Sequence, residues 1–351
     1  LITDGATGVD AVAAVGAITN GVVTIANGGT NNTIKTVTVD GYATGSSITS
    51  NALTDVTLKN SSGTATITST VASLNLTVDD VIHGLTLTAG NLKTLNLTTT
   101  GEDSDFGLIA TDVETLTIAA AADLDISTGS TLTAVKTVTI TGAGNVDLGD
   151  LSVTNSASFA TLNASAAKGD ITAEITATNT AVTTGSGNDT ITATVANATT
   201  AISKAIDLGA GDDTLVLFAD TTAVPTAAVK GGDGVDTISM TFTSADSYDN
   251  TELFKNAISG FERLEISDTF LNAAVTQETL ILDMEKLGFN YVITNGTDDG
   301  DASNVETQDR ISLTNLAANA TVELNANGLV IAALKTATGT ADVMNVVTNV
   351  T

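Results

Sequence analysis

The sequence predicts an all-β protein folded as a parallel β-solenoid, a chain coiling rung upon rung with about 20 residues per rung. Three observations point there. An apolar triplet, Φ-x-x-Φ-x-Φ with Φ apolar, recurs through the first half of the chain. Three glycine-aspartate segments follow near the middle at a similar interval. The composition is also that of a narrow sheet core: 42% hydrophobic but only 3% aromatic, with no Trp, no Cys and a single Pro in 351 residues. Val, Ile and Leu with abundant Thr and Ala suit flat pleated faces, because β-branched side chains pack well on a sheet.

The triplet reads Ile34-Val37-Val39, Leu53-Val56-Leu58, Val71-Leu74-Leu76, Leu92-Leu95-Leu97, Val113-Leu116-Ile118 and Val135-Val138-Ile140, with a weaker copy at Phe159-Leu162-Ala164. Its middle positions step by 19, 18, 21, 21, 22 and 24 residues. Shorter alternating segments lie between, at Leu85-Leu87, Leu124-Ile126 and Val146-Leu148. Alternation makes one face of each segment apolar, and such a strand cannot bury that face alone. Stacked strand on strand, the rungs line up one continuous interior. A leucine-rich repeat shares the L-x-x-L-x-L rhythm, but it sets an Asn or Cys in a fixed column and often a helix per repeat. Asn96 and Asn163 form no such column. An antiparallel sandwich would alternate without the triplet.

The glycine-aspartate segments are TGSGNDTIT at 184–192, LGAGDDTLV at 208–216 and GGDGVDTIS at 231–239. The third matches the calcium-binding nonapeptide G-G-x-G-x-D-x-U-x at every defined position, and the other two lack only the leading glycine. After Asp236 the pattern predicts a strand over 237–242, then a short helix near Thr251–Ile258 stopped by Gly260. The triplet returns at Phe261-Leu264-Ile266, and further strand candidates are 280–282, 291–294, 311–313, 322–324 and 343–347. The chain therefore divides into rungs without a clear metal motif (1–180), metal-type rungs (181–242), and a helical insertion with a less regular continuation of the solenoid (243–351).

Calcium takes six to eight oxygen ligands in forgiving geometry. Asp189, Asp213 and Asp236 would supply carboxylates, and Gly185, Gly187, Gly209, Gly211, Gly232 and Gly234 main-chain oxygens, with Asp212 and Asp233 close by. Stacked turns would share ions, so Asp213 in the middle would face two of them. Magnesium is disfavoured by its strict octahedral shell. Other acids carry less: Asp10 sits in an isolated degenerate nonapeptide at 5–12, and Asp298, Asp299 and Asp301 with Asp309 read as a solvated loop.

The net charge of −28, from 40 acids and 12 bases, excludes nucleic acid and anionic membrane surfaces as partners. It calls instead for counter-cations. Without cysteine there are no disulfides and no thiolate metal sites. Catalysis has little to work with. His83 is the single histidine and reads as a turn residue, and the aromatic platforms expected of a glycosidase are missing from a chain without Trp. The sequence reads as neither an enzyme nor a binder of small-molecule substrates. It also reads as a piece of a longer protein.

The run GSGNDTI, GAGDDTLV, GGDGVDTI and then GFERLEI at 260–266, set in a Thr- and Ala-rich cysteine-free solenoid, resembles the RTX-type surface-layer proteins of Gram-negative bacteria such as Caulobacter. The motif-level likeness spans about 180–270. The resemblance implies an RTX β-roll type of fold, type I secretion, calcium-driven folding outside the cell and self-assembly into a two-dimensional lattice. It also implies anchoring to lipopolysaccharide through another part of the protein. A segment of a large calcium-dependent RTX adhesin is the alternative, and the calcium-binding tail of a secreted hydrolase a third.

Overall fold

The computed structural model describes residues 2–4, 11–14, 21–27, 33–152, 159–218, 220–267, 279–295, 310–325, 329–335 and 344–348. The chain divides into two units, Leu1–Asp189 and Thr190–Thr351. Each is a parallel β-solenoid, as the triplet predicts.

In the first unit, strands consecutive in the chain pass to different sheets, and each sheet is built from successive rungs. One sheet contains Thr36–Asp40, Asp55–Ser61, Ser73–Val81, Thr94–Thr99, Thr115–Ala120, Thr137–Gly142, Thr161–Ala167 and Ala181–Thr183 in that order. The pairings along it are parallel. Burial follows the period of two. In Thr94–Thr99 the residues Leu95, Leu97 and Thr99 point inward while Thr94, Asn96 and Thr98 face outward. The first Φ of each triplet ends the preceding turn; Ile34, Leu53, Leu92, Val113, Val135 and Phe159 are buried there, while Val71 is half-buried. Buried corner hydroxyls find acceptors on neighbouring rungs: Ser61 donates to the Tyr42 carbonyl, Thr99 to Ala122 and Thr180 to Phe159. That is how polar corners survive inside an apolar column.

The register differs from the sequence reading at one step. Val56 lies beside Leu76, not Leu74, and the inward column runs Val37, Val56, Leu76, Leu97, Ile118, Ile140. Strand Ser73–Val81 starts two residues ahead of its partner Asp55–Ser61. A slip of two keeps every side chain on its own face, so hydrophobic pattern alone cannot distinguish the two registers. The shorter segments also belong to two different sheets. Leu85–Thr88 stacks on Ala65–Thr68, whereas Leu124–Asp125 pairs with Ser104–Asp105 and Val146–Asp150.

In the second unit one sheet runs Thr190–Thr194, Thr214–Leu217, Thr237–Met240, Arg263–Ile266, Tyr291–Thr294, Thr321–Leu324 and Asn345–Thr348. A second holds Ile206–Asp207, Val229–Lys230 and Ile258–Ser259, and a third holds Thr279–Asp283, Arg310–Leu316 and Leu329–Leu334. The expected strand candidates after 260 are thus present, except that the last runs Asn345–Thr348 rather than 343–347, with Val343 outside the described residues, and Leu329–Leu334 is an addition.

The insertion is not one helix over 251–258. It forms α1 (Phe242–Tyr248) and α2 (Leu253–Ala257), joined through Asp249–Glu252, and α3 (Met284–Leu287) follows later. Thr241 caps α1 by accepting from the Ser244 N–H at 3.3 Å, which ends the strand at Met240 rather than at Phe242. Phe242, Ala245 and Tyr248, three residues apart, form the buried stripe of α1. The Tyr248 ring stacks on buried Phe254 of α2 with centroids 4.3 Å apart.

Candidate metal centre

Rungs in a parallel solenoid sit about 4.8 Å apart, so a turn repeated on successive rungs leaves no room for side chains between layers. The glycines of the motifs meet that condition. A Cβ on Gly232 would lie 1.9 Å from the Gly209 carbonyl oxygen, and one on Gly234 1.8 Å from that of Gly211. These residues also hold φ of +129° and +143°, with Gly209 at +92° and Gly211 at +131°. The turn at 184–189 reaches the same closeness without positive φ: a Cβ on Gly185 would meet the Ala167 carbonyl oxygen at 2.1 Å, and one on Gly187 that of Gly169 at 2.4 Å.

Each motif aspartate immediately precedes a strand and is buried, Asp189 and Asp213 at 1% exposure and Asp236 at 0%. In the first unit, the Asp189 carboxylate accepts from Ile171 N at 2.8 Å and from Gly185 N at 3.3 Å. A separate corner column has an acid or amide side chain accepting a backbone N–H from the following rung. Asp103 accepts from Asp123 N (3.1 Å), Asp123 from Asn145 N (2.7 Å), and Asn145 from Asp170 N (2.8 Å). Asp170 in turn accepts from Asn188 N at 2.6 Å.

In the second unit both directions occur, and the motif aspartates follow that of Asp189, from the N–H of one rung to the carboxylate of the next. Asp213 N donates to Asp236 Oδ1 at 2.9 Å, and Asp236 N to Glu262 Oε2 at 2.9 Å. Asp212 Oδ1 accepts from Val235 N at 2.9 Å. Asp233 donates its N–H to the Gly209 carbonyl and accepts from Gly211 N, both at 2.9 Å. The structure thus brings Asp212, Asp213, Asp233 and Asp236 together with Gly209, Gly211, Gly232 and Gly234, while Asp189, Gly185 and Gly187 belong to the first unit. Asp10, Asp298, Asp299, Asp301 and Asp309 lie outside the described residues. His83 is exposed, in a turn with φ +145°, and its Nδ1 meets the Ile82 carbonyl.

One atom stands out. Asp236 Oδ2 is buried and has no hydrogen-bond partner among the described residues. Burial pushes the Asp236 carboxyl above its ordinary range, the Asp213 N–H pulls it back, and the charges of Glu262, Asp212 and Asp233 push it further up. Asp189 is also raised, chiefly by burial, against hydrogen bonds from Thr184, Ile171 and Gly185. Among the described residues no three acidic or histidine side chains form a metal cluster by themselves. Carbonyl oxygens would have to complete a shell, and a hard, oxygen-preferring cation with loose geometry fits that donor set best.

Besides Asp123, the sequence reading missed two acids of these columns, Asp170 and Glu262. Both precede their strands as Asp189 and Asp236 do: Asp170 stands before Ile171, and Glu262 pairs across from Asp236 because Arg263 lies beside Thr237. Position one before the strand is the signal that would have found them.

No protein-family model and no curated protein matches this chain in sequence.

A pH dependence follows for the metal-free protein. A carboxyl whose folded pKa lies above its unfolded value near 3.8 favours folding when protonated, and that stability is lost as pH rises through the folded pKa. In calcium-depleted buffer, the Asp236 contribution should therefore increase stability as pH is lowered from 7 toward 4. Urea melts of the wild type and of Asp236→Asn across that range check it: the difference between them should shrink at low pH, and a constant difference would contradict the assignment.

Proposed function

We propose that the chain is a structural segment of a calcium-dependent bacterial surface layer, secreted and held at the cell surface through regions beyond this segment. Calcium occupies the stacked glycine-aspartate turns and stiffens a solenoid wall that self-assembles into a two-dimensional lattice. One observation carries the reading: the buried, unpartnered carboxylate oxygen of Asp236, at a corner where glycines bring successive backbones into contact. A buried charge without a partner is costly, and a cation at that corner removes the cost. The net charge of −28 supports the same reading, since a metal-poor chain resists compaction and binding outside the cell adds folding free energy. The solenoid requires neither nucleic acid nor a small-molecule substrate for this role. The test is electron microscopy of the purified protein in millimolar calcium and in chelator. Ordered sheets in calcium alone are expected, and dispersed monomers in both conditions would overturn the proposal.

A further inference from the structure

The calcium ladder does not end at the third motif. We propose that Glu262 and the Gly260 carbonyl form, with Asp236, a further divalent-cation site one rung beyond the glycine-aspartate turns. The inference rests on the calcium reading of those turns and extends it to residues outside any nonapeptide match.

The oxygens converge beside Gly231. A Cβ at Gly231 would stand 1.9 Å from the Gly260 oxygen and 2.7 Å from Asp236 Oδ2. The carboxylate oxygen and the carbonyl oxygen therefore lie beside Gly231 and near enough to each other to ligate one ion, and a side chain at 231 would collide with both. The carboxylate oxygen is the buried one without a hydrogen-bond partner. From the opposite side, a Cβ at Gly260 would lie 2.7 Å from Gly232 N and 3.1 Å from the Gly232 oxygen, so a second carbonyl lies close. Gly260 holds φ of +68°, a conformation that favours glycine.

Glu262 closes the arrangement. Its backbone N–H donates to the Asp236 carbonyl at 3.0 Å, and its Oε2 accepts from Asp236 N at 2.9 Å. Two carboxylates are thus held at one corner beside the Gly260 oxygen, and among the described residues no basic side chain is bonded to either. Register places Glu262 where Asp236 stands one rung before, and the turn from Ile258–Ser259 into Arg263–Ile266 is three residues long, against six between Val229–Lys230 and Thr237–Met240. An oxygen-only set with two negative charges fits calcium.

Counting ions tests it. Native mass spectrometry and calcium titration calorimetry should show Glu262→Gln binding one ion fewer than wild type. The glutamine keeps an oxygen to accept the Asp236 N–H, so a purely structural role for Glu262 predicts an unchanged count. Wild-type crystals grown with manganese give an independent answer that needs no variant to fold. An anomalous peak between Asp236 and Glu262 supports the site. Peaks at the other turns with none there, or an unchanged ion count in the variant, overturn this inference and leave the calcium turns intact. A wild type that takes up no ion overturns both.

Discussion

Gly232→Ala should open the second unit at its glycine-aspartate corner, lowering local stability by about 3–5 kcal/mol. Two effects act together. At φ +129° an L side chain is strained in any surroundings, and the new Cβ would sit 1.9 Å from the Gly209 carbonyl oxygen. That oxygen cannot retreat, because it accepts the Asp233 N–H at 2.9 Å and the strands on either side hold the rung spacing. Gly45→Ala separates the two effects. Gly45 also has positive φ, +91°, but nothing lies within 4 Å of a Cβ there, so backbone strain alone remains, about 1 kcal/mol. Hydrogen exchange is the suitable measurement, since rungs of a solenoid can open separately and one global melt would average them. Protection of Thr237 and Ile238 should collapse in Gly232→Ala, while Gly45→Ala should leave them unchanged. Equal effects from the two variants would mean that rung contact is not what the glycine provides.

Asp236→Asn should have opposite effects in two buffers. In chelator at pH 7 the variant should melt higher than wild type, because burial and neighbouring carboxylates disfavour the charge that asparagine lacks. The Asp213 N–H keeps an oxygen to donate to. In calcium the order should reverse. A ligand present at 100 times its dissociation constant adds about 2.7 kcal/mol to the wild type, and the variant should lose most of that increment. Thermal melts of both proteins in both buffers check the crossing. If Asn lowers stability equally with and without calcium, Asp236 is a structural hydrogen-bond acceptor and not a ligand.

Much of this was legible in the residues. Strict alternation shows which residues of Thr94–Thr99 or Thr115–Ala120 face inward, and the triplet gives the rung interval. The Val56 register was not legible, because a two-residue slip preserves the face of every side chain. Nor was the assignment of Leu85 and Leu124 to separate sheets, since alternation records burial and not the neighbour. The start of α1 was hidden because Phe242 continues the apolar pattern of its strand, and only the Thr241 cap turns the chain. At the site, glycine spacing marked the turns, and the contacts confirm that these glycines bring backbones within side-chain distance. What motif matching missed was Glu262, a longer acid in a turn without the nonapeptide frame. The different bonding of Asp189 and Asp236, one with both oxygens engaged and one with an oxygen left over, required coordinates.

A thermal melt of the wild-type chain in millimolar calcium and in excess chelator tests the central claim most directly, that buried corner carboxylates of the solenoid are completed by calcium. The account predicts a higher melting temperature in calcium, with the gain lost in Asp236→Asn. Identical melting in calcium and chelator would contradict it.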